Sequence, residues 1–595
     1  MKNIVSKLLL TGLVCSCFAS CSNESIEDMG GKKVEDFKGL TQFSAEGPAT
    51  RTAGKYVANT SVESGHVKFW WTVGDKIWVN TTSGTDFEKN DKDDISAQTE
   101  TSNFYFTKNL TAESYKVKYT GTVSDNSNEV VFAKKQQQNA PNNADLIGKY
   151  GDCGIATATK KSNLKYTFDL SHKAGYLVLT PYSSVHKFDT SVGVRAVYVR
   201  ANENLTGTYT MDDAGNLTKT AAVDGGKEIV WYYKQDVDGY DKIGKEIEKD
   251  FLKIPYASKP DAATNGIIIV LPPGEYTNLS VEYLLVDVLS GCKGYYKKSY
   301  KGKVKVEAGK PHNIAEDIKL YEYDKNQYYT WDAAEGQYFW KGNEDKQILI
   351  PGDLGYFLTR EEGFPDPTST TDPRAYNRSK GGATTVEGNA ANRTAANAMN
   401  VNEALWLAQK GEPMWDKTKL FTITYPGEKC HLYNGGVWFK TLKKIATDVS
   451  KSVEDLKTAA PNGLDYRTKT VSNDPMSFTN VTKFGRPAKA NTNADYMFLP
   501  CTGSYNFVHD RGTLSREIPS PFFGQLGGFW TSSSEAGGAN KLSNAYTLQF
   551  TCTQDDDTKE LSDFKVGVLR GIKYEGYPIL FDNMGVSGPG KFRIK

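Results

Sequence analysis

From residue 67 onward, apolar and polar residues alternate in short runs, and the pattern returns many times before residue 306. Tyr115-Lys116-Val117-Lys118-Tyr119 is one such run. Leu164, Tyr166, Phe168 and Leu170 alternate with Lys165, Thr167 and Asp169 in a second, and residues 301–306 form a third. Successive strand side chains point to opposite faces, so a period of two marks a strand with one buried face. Residues 67–70, 71–79, 176–179, 194–199 and 279–289 are aromatic or β-branched runs of the same kind. Ile267–Leu271 is apolar throughout, as a strand buried on both faces would be. Residues 208–218 read as a hairpin with Gly215 and Asn216 in its turn. Strand after strand without helical runs predicts a mostly β protein, with β-sandwiches at residues 55–220 and 221–320. The 12 % aromatic content and 54 glycines suit such a turn-rich architecture.

The texture changes after residue 320. Residues 321–340 are rich in aromatics, including Trp331-Asp332-Ala333 and Tyr338-Phe339-Trp340. Residues 364–400 carry Pro, Thr, Ser, Gly, Asn and Ala in excess, which predicts a loop or lid within a connecting region at 321–400. Residues 401–595 read as an α+β domain. A helix is expected at 402–409. A longer one is expected at 441–456, where Leu442, Ile445, Val449, Val453 and Leu456 recur at steps of three and four.

The N-terminus is an address. Lys2 and Lys7 precede an apolar stretch at 8–19, too short to span a bilayer as a mature helix. Phe18-Ala19-Ser20-Cys21 resembles the lipobox of bacterial lipoproteins, and Val14-Cys15-Ser16-Cys17 offers an alternative. The resemblance implies a signal peptide at 1–20, with acylation of Cys21. Residues 21–54 then read as a tether, a short strand and a cleavage loop. Leu40, Gln42 and Ser44 would face one side of that strand and Thr41, Phe43 and Ala45 the other. Pro48-Ala49-Thr50-Arg51-Thr52 follows as a turn with an exposed arginine.

The remaining composition narrows the chemistry. The net charge of +1 and the lack of a basic, aromatic-laced cluster give no sign of nucleic-acid binding. Cys153, Cys292, Cys430, Cys501 and Cys552 match no metal spacing, so neither a metal nor another cofactor is expected. A disulfide joining Cys501 to Cys552 or Cys430 is open. Six scattered histidines accompany no H-E-x-x-H, G-x-S-x-G or P-loop, and an enzyme is not expected.

Several motifs occur in a fixed order: Phe43-Ser44-Ala45, Thr50-Arg51-Thr52, Trp71 to Val79 (W-T-V-G-D-K-I-W-V), Asp169-Leu170-Ser171-His172-Lys173-Ala174 and Leu271-Pro272-Pro273-Gly274. With the lipobox, this set resembles the fimbrillin family, the lipoprotein-derived pilus subunits of Bacteroides-type bacteria, over about residues 40–320. Transthyretin-like sandwiches are what the resemblance implies. It also implies an outer-membrane lipoprotein, anchored by lipid until an Arg-specific protease cuts between Arg51 and Thr52. Removal of Leu40-Thr41-Gln42-Phe43-Ser44-Ala45 would then let a strand from another pilin subunit enter. Such a protein would end at the cell surface, in a pilus. Gly503, Gly527 to Ser533, Ala545 to Leu548 and Gly567 to Arg570 resemble C-terminal domains of fimbrillin-like surface paralogues, of lectin-like appearance. The ending, residues 584–595, places glycines around a proline and makes a poor donor strand, so a tip adhesin is expected. Trp530, Tyr505 and Tyr546 are its candidate contacts for an unidentified host or bacterial surface ligand. The rival expectation is a non-polymerising surface lipoprotein that binds glycan or protein through the C-terminal domain.

Overall fold

The alternating runs become strands because their apolar faces find a common interior. The structure, a computed structural model, describes residues 37–45, 53–57, 65–81, 86–220, 226–234, 250–347, 363–424, 429–469, 479–485, 487, 495–505, 526–537, 544–554, 561–581 and 593–594. The first sheet contains β1 (Thr41–Ala45), β2 (Trp78–Asn80), β3 (Phe87–Lys89), β4 (Lys92–Asp93), β5 (Ser102–Phe106), β6 (Ser114–Tyr119), β7 (Gly154–Ser162) and β8 (Lys165–Phe168). Their order across the sheet is β3-β2-β6-β7-β8-β1-β5-β4. Phe43, Trp71, Val79, Phe104, Tyr119 and Tyr166 are among the residues of its core. The run at 71–79 is not one strand. Thr72 N–H donates to Asp75 Oδ2 (2.6 Å), and Gly74 turns the chain at φ +97°.

Next come β9 (Gly175–Tyr182), β10 (Val192–Arg200), β11 (Glu228–Tyr233), β12 (Ile267–Leu271), β13 (Ser280–Asp287), β14 (Cys292–Ser299) and β15 (Pro311–Asp317). One sheet runs Lys135–Gln138, β11, β10, β13, β14; another runs β12-β9-β15. Leu177 and Ile269 pack with Val194 and Leu285 on one side of the second of these, while Val178 and Ile268 pack with Phe69 and Phe132 on the other. Both faces of Ile267–Leu271 are therefore buried, which is why the run has no polar residue. The expected division at residue 220 is corrected by these pairings. β9 and β10 lie before it, yet pair with β12 and β13 beyond it. Ladder partners are chosen by tertiary assembly, and local pattern does not reveal them.

The C-terminal region carries α1 (Val401–Lys410), β16 (Leu420–Thr424), β17 (Cys430–Asn434), β18 (Gly436–Lys440), α2 (Leu442–Asp448), α3 (Val453–Thr458), β19 (Tyr496–Pro500), β20 (Leu526–Ser534), β21 (Asn544–Gln554) and β22 (Leu561–Ile572). It is α+β, with Leu405, Ile445, Leu499, Phe529, Phe550 and Val568 in its core. Asn400 and Glu403 form a capping box that starts α1. The single helix expected at 441–456 is two. Ser450 adopts φ +54°, and Ser452 with Asp455 caps α3. Ser452-x-x-Asp455 is a start signal inside the apolar stripe, and it outweighs the stripe's continuity.

The stretch expected as a lid, 364–400, is pinned in its described part. Asp332, fully buried at φ +52°, accepts from Asn377 Nδ2 (2.6 Å), Asn392 N (2.9 Å), Arg393 N (2.8 Å) and Ala395 N (3.1 Å). Low regularity here reflects side-chain anchoring in place of a backbone ladder. Cys153, Cys292, Cys430, Cys501 and Cys552 are buried and none of them is in a disulfide, so the open disulfide is not formed. From the ending, Arg593–Ile594 pairs with Tyr321–Glu322 as a two-residue strand. Among the described residues, no helix is long and apolar enough to cross a membrane.

Candidate functional site

The first strand is where sequence and structure meet. β1 alternates as expected: Thr41, Phe43 and Ala45 are buried, while Gln42 and Ser44 are half-buried. It lies inside the sheet, between two neighbours. β8 runs parallel to it on one side, with Phe43 opposite Tyr166, and β5 runs antiparallel on the other, with Phe43 opposite Phe104. Each neighbour meets it along a ladder, so its backbone is paired on both sides.

The inward face has three positions of different chemistry. Thr41 Oγ1 donates to Lys108 O (2.8 Å) and accepts from Leu110 N (3.1 Å). The Phe43 ring stacks on Tyr166 with centroids 4.8 Å apart, and meets Phe106 (5.2 Å) and Tyr115 (5.9 Å) edge-on. Tyr166 is held by its hydroxyl, which points at Leu110 O (3.0 Å) and Ala112 O (2.8 Å). Burial pushes its phenol up to about 12. Ala45, opposite Phe168, is fully buried at its end of that face.

The outward face is polar. Gln42 Nε2 and Ser44 Oγ both donate to Asn103 Oδ1 (2.7 and 2.6 Å), and Asn103 Nδ2 donates to Asp94 Oδ2 (2.6 Å). Phe37, just before β1, stacks on Tyr105 at 4.2 Å. Burial, with Asp94 adding to it, raises the Tyr105 phenol to about 12. Asn103, Asp94 and the 108–112 segment had no signal in the sequence, because they meet β1 only through folding.

The other expected sites fare differently. Cys21, Arg51 and Thr52 lie outside the described residues. On the chain, the Arg51–Thr52 bond falls between β1 and the strand Ala53–Val57, which pairs with His66–Trp70 in a separate two-stranded sheet.

The aromatic contact platform is corrected. Trp530, Tyr505 and Tyr546 are all fully buried and sit in three different clusters. Trp530 Nε1 donates to Tyr329 O (2.9 Å) and its ring meets Tyr577 edge-on. Tyr505 stacks on Phe339 at 5.3 Å. A ring enclosed on all sides serves packing and has no face left for a sugar.

No family model and no curated protein matches the chain. Solved structures similar to it include a "putative cell adhesion protein" from Bacteroides ovatus, 14 % identical, covering 47 % of this chain and 94 % of that one at a TM-score of 0.28. Another of that description, from Bacteroides uniformis, is 15 % identical over 48 % of this chain and 94 % of its own, with a TM-score of 0.26. A fimbrial assembly protein from Parabacteroides distasonis is 11 % identical over 46 % and 90 %, with a TM-score of 0.21.

Proposed function

We propose that this chain is a surface-displayed, fimbrial-type adhesive subunit whose β1 is a placeholder, removed by a cut at Arg51 and replaced by a strand from another subunit. The observation that carries this reading is the position of β1 between two strands. Taking it out leaves β8 and β5 each with an unpaired row of N–H and C=O groups, facing one another across an apolar slot. An incoming strand restores both ladders and the buried face at once, which an edge addition cannot do. The export segment and Cys21 supply delivery and a lipid anchor at the outer membrane. An Arg-specific protease supplies release. The C-terminal α+β region is the part displayed for contact, as in a tip adhesin, and its ligand is reached through surfaces other than Trp530, Tyr505 and Tyr546.

The test is cleavage of the full chain by a trypsin-like, Arg-specific protease, followed by native mass spectrometry. The expected result is a single early cut after Arg51, loss of the β1 fragment on mild heating, and uptake of an added strand peptide. A chain that resists cutting at Arg51, or that is cut and never takes up a strand, overturns the reading.

A further inference from the structure

The slot that holds β1 is not uniform, and its contacts specify what can enter it. We propose that the slot selects incoming strands by sequence: a hydroxyl residue, then an aromatic two positions on, then a small residue two positions after that, running parallel to β8. This rests on the strand-replacement reading above and adds the identity of the partner to it.

The first position reads a hydroxyl because it presents both a donor and an acceptor. Leu110 N–H and Lys108 C=O converge on Thr41 Oγ1, and the Leu110 bond is buried. A valine of the same shape leaves that N–H without an acceptor, which is far worse than never having built the contact. The second position reads a flat ring. Tyr166 lies 4.8 Å from Phe43 with 13° between their planes, and Phe106 and Tyr115 close the sides. An aliphatic residue would forfeit the stacking and leave a void. The third position, at Ala45, is fully buried, and enlarging a side chain in a packed interior forces its neighbours to shift.

One segment ties the first two positions together. Residues 108–112 supply the groups that hold Thr41, and Leu110 O and Ala112 O also anchor the Tyr166 hydroxyl. Ala112 N–H in turn donates to the Tyr115 hydroxyl (2.9 Å). The same short stretch therefore fixes the hydroxyl reader and two walls of the ring pocket, so the spacing between the two preferences is built in. Direction follows as well. A strand entering in reverse would bring its small residue to the hydroxyl reader and its hydroxyl residue to the buried position of Ala45.

The test uses the full chain after Arg-specific cleavage. The probe is a fluorescent peptide of residues 38–47, followed by anisotropy in competition with unlabelled variants. F43A should compete about a hundredfold more weakly, T41V about tenfold, and A45L and the reversed sequence at least tenfold. The Q42A/S44A double variant, altered only on the outward face, should stay within about threefold. If all variants compete equally while the parent peptide binds, selection by sequence is overturned and strand replacement survives. If no peptide binds a cleaved chain that still melts cooperatively, both readings fall. Should the cleaved chain not stay folded, the same substitutions in the uncut chain decide. Amide exchange in β5 and β8 should then accelerate in F43A and T41V but not in Q42A, and equal acceleration overturns the proposal.

Discussion

At position 43 a single ring is enclosed by three others, while the residue on each side of it, Gln42 and Ser44, looks outward to a polar ledge. That asymmetry predicts unequal effects within one strand. Phe43→Ala should lower stability by about 3–5 kcal/mol, the range for a buried aromatic replaced by alanine. Gln42→Ala should change it by no more than about 0.5 kcal/mol, because the half-buried amide lies on the outward face, where water can replace its protein partners. Urea unfolding of the two variants, followed by tryptophan fluorescence, checks the contrast. Asp332 makes a second prediction at this scale. Four donors converge on one buried carboxylate, so Asp332→Ala strands three backbone N–H groups and an amide. The loss should exceed about 2 kcal/mol, and protease sensitivity should appear between residues 377 and 395. An unchanged digestion pattern would contradict the pinning role of Asp332.

At the scale of elements, the turn after β22 places two ionisable groups in the interior. Lys573 Nζ donates to Lys380 O (2.7 Å) and lies 4.5 Å over the Trp331 ring, and burial lowers its pKa to about 7. Glu575, two residues on, is raised to about 7 by burial, although it accepts from Ile572 N (3.1 Å). The signs oppose. Between about pH 4.5 and 7 the folded chain holds a proton on Glu575 that the unfolded chain has released, so stability falls as pH rises. Between about 7 and 10.5 the unfolded chain holds a proton on Lys573 that the folded chain lacks, so stability rises with pH. These two groups together contribute a minimum near neutrality. Glu575→Gln should abolish the acid-side decline and Lys573→Met the alkaline-side rise, read from denaturant midpoints at about pH 5, 7 and 9. A flat difference between wild type and Lys573→Met across that range would show that Lys573 stays protonated.

Across the whole molecule, the C-terminal region is fastened by the β16–β17 hairpin to the sandwich formed by the β11-β10-β13-β14 and β12-β9-β15 sheets. Leu420 and Leu432 belong to the sandwich core, and Gly294 on β14 has no side chain because a Cβ there would stand 2.5 Å from Leu420 Cδ2. Asp287, buried at the end of β13, accepts from Leu432 N (3.0 Å) and Ser191 Oγ (2.9 Å) and meets His431 Nδ1 at 2.9 Å. Its pKa is lowered: burial alone would raise it, and the hydrogen bonds, led by His431, prevail. Asp287→Ala should therefore weaken the junction by about 1–3 kcal/mol, because it leaves the buried Leu432 N–H without its acceptor. Calorimetry should show one shared transition divide into two, with the sandwich and the C-terminal region melting separately. A single transition, merely shifted, would mean that other contacts couple the two regions.

Much of this was legible in the chain itself. The alternation at 115–119 and 164–170, and the unbroken apolar run at 267–271, told which residues form strands and which faces they bury, because side-chain direction in a strand depends only on position along it. The division of β1 into two faces was readable for the same reason. Strand order was not, since β1 could sit at an edge or in the middle with the same five residues. Folding alone brought β5, β8 and residues 108–112 around it, because backbone ladders form between any extended segments that the packing brings together. Burial of Trp530, Tyr505 and Tyr546 was decided at that level too. An aromatic beside glycines looks the same in sequence whether its ring meets solvent or other rings, and only the tertiary neighbours settle which.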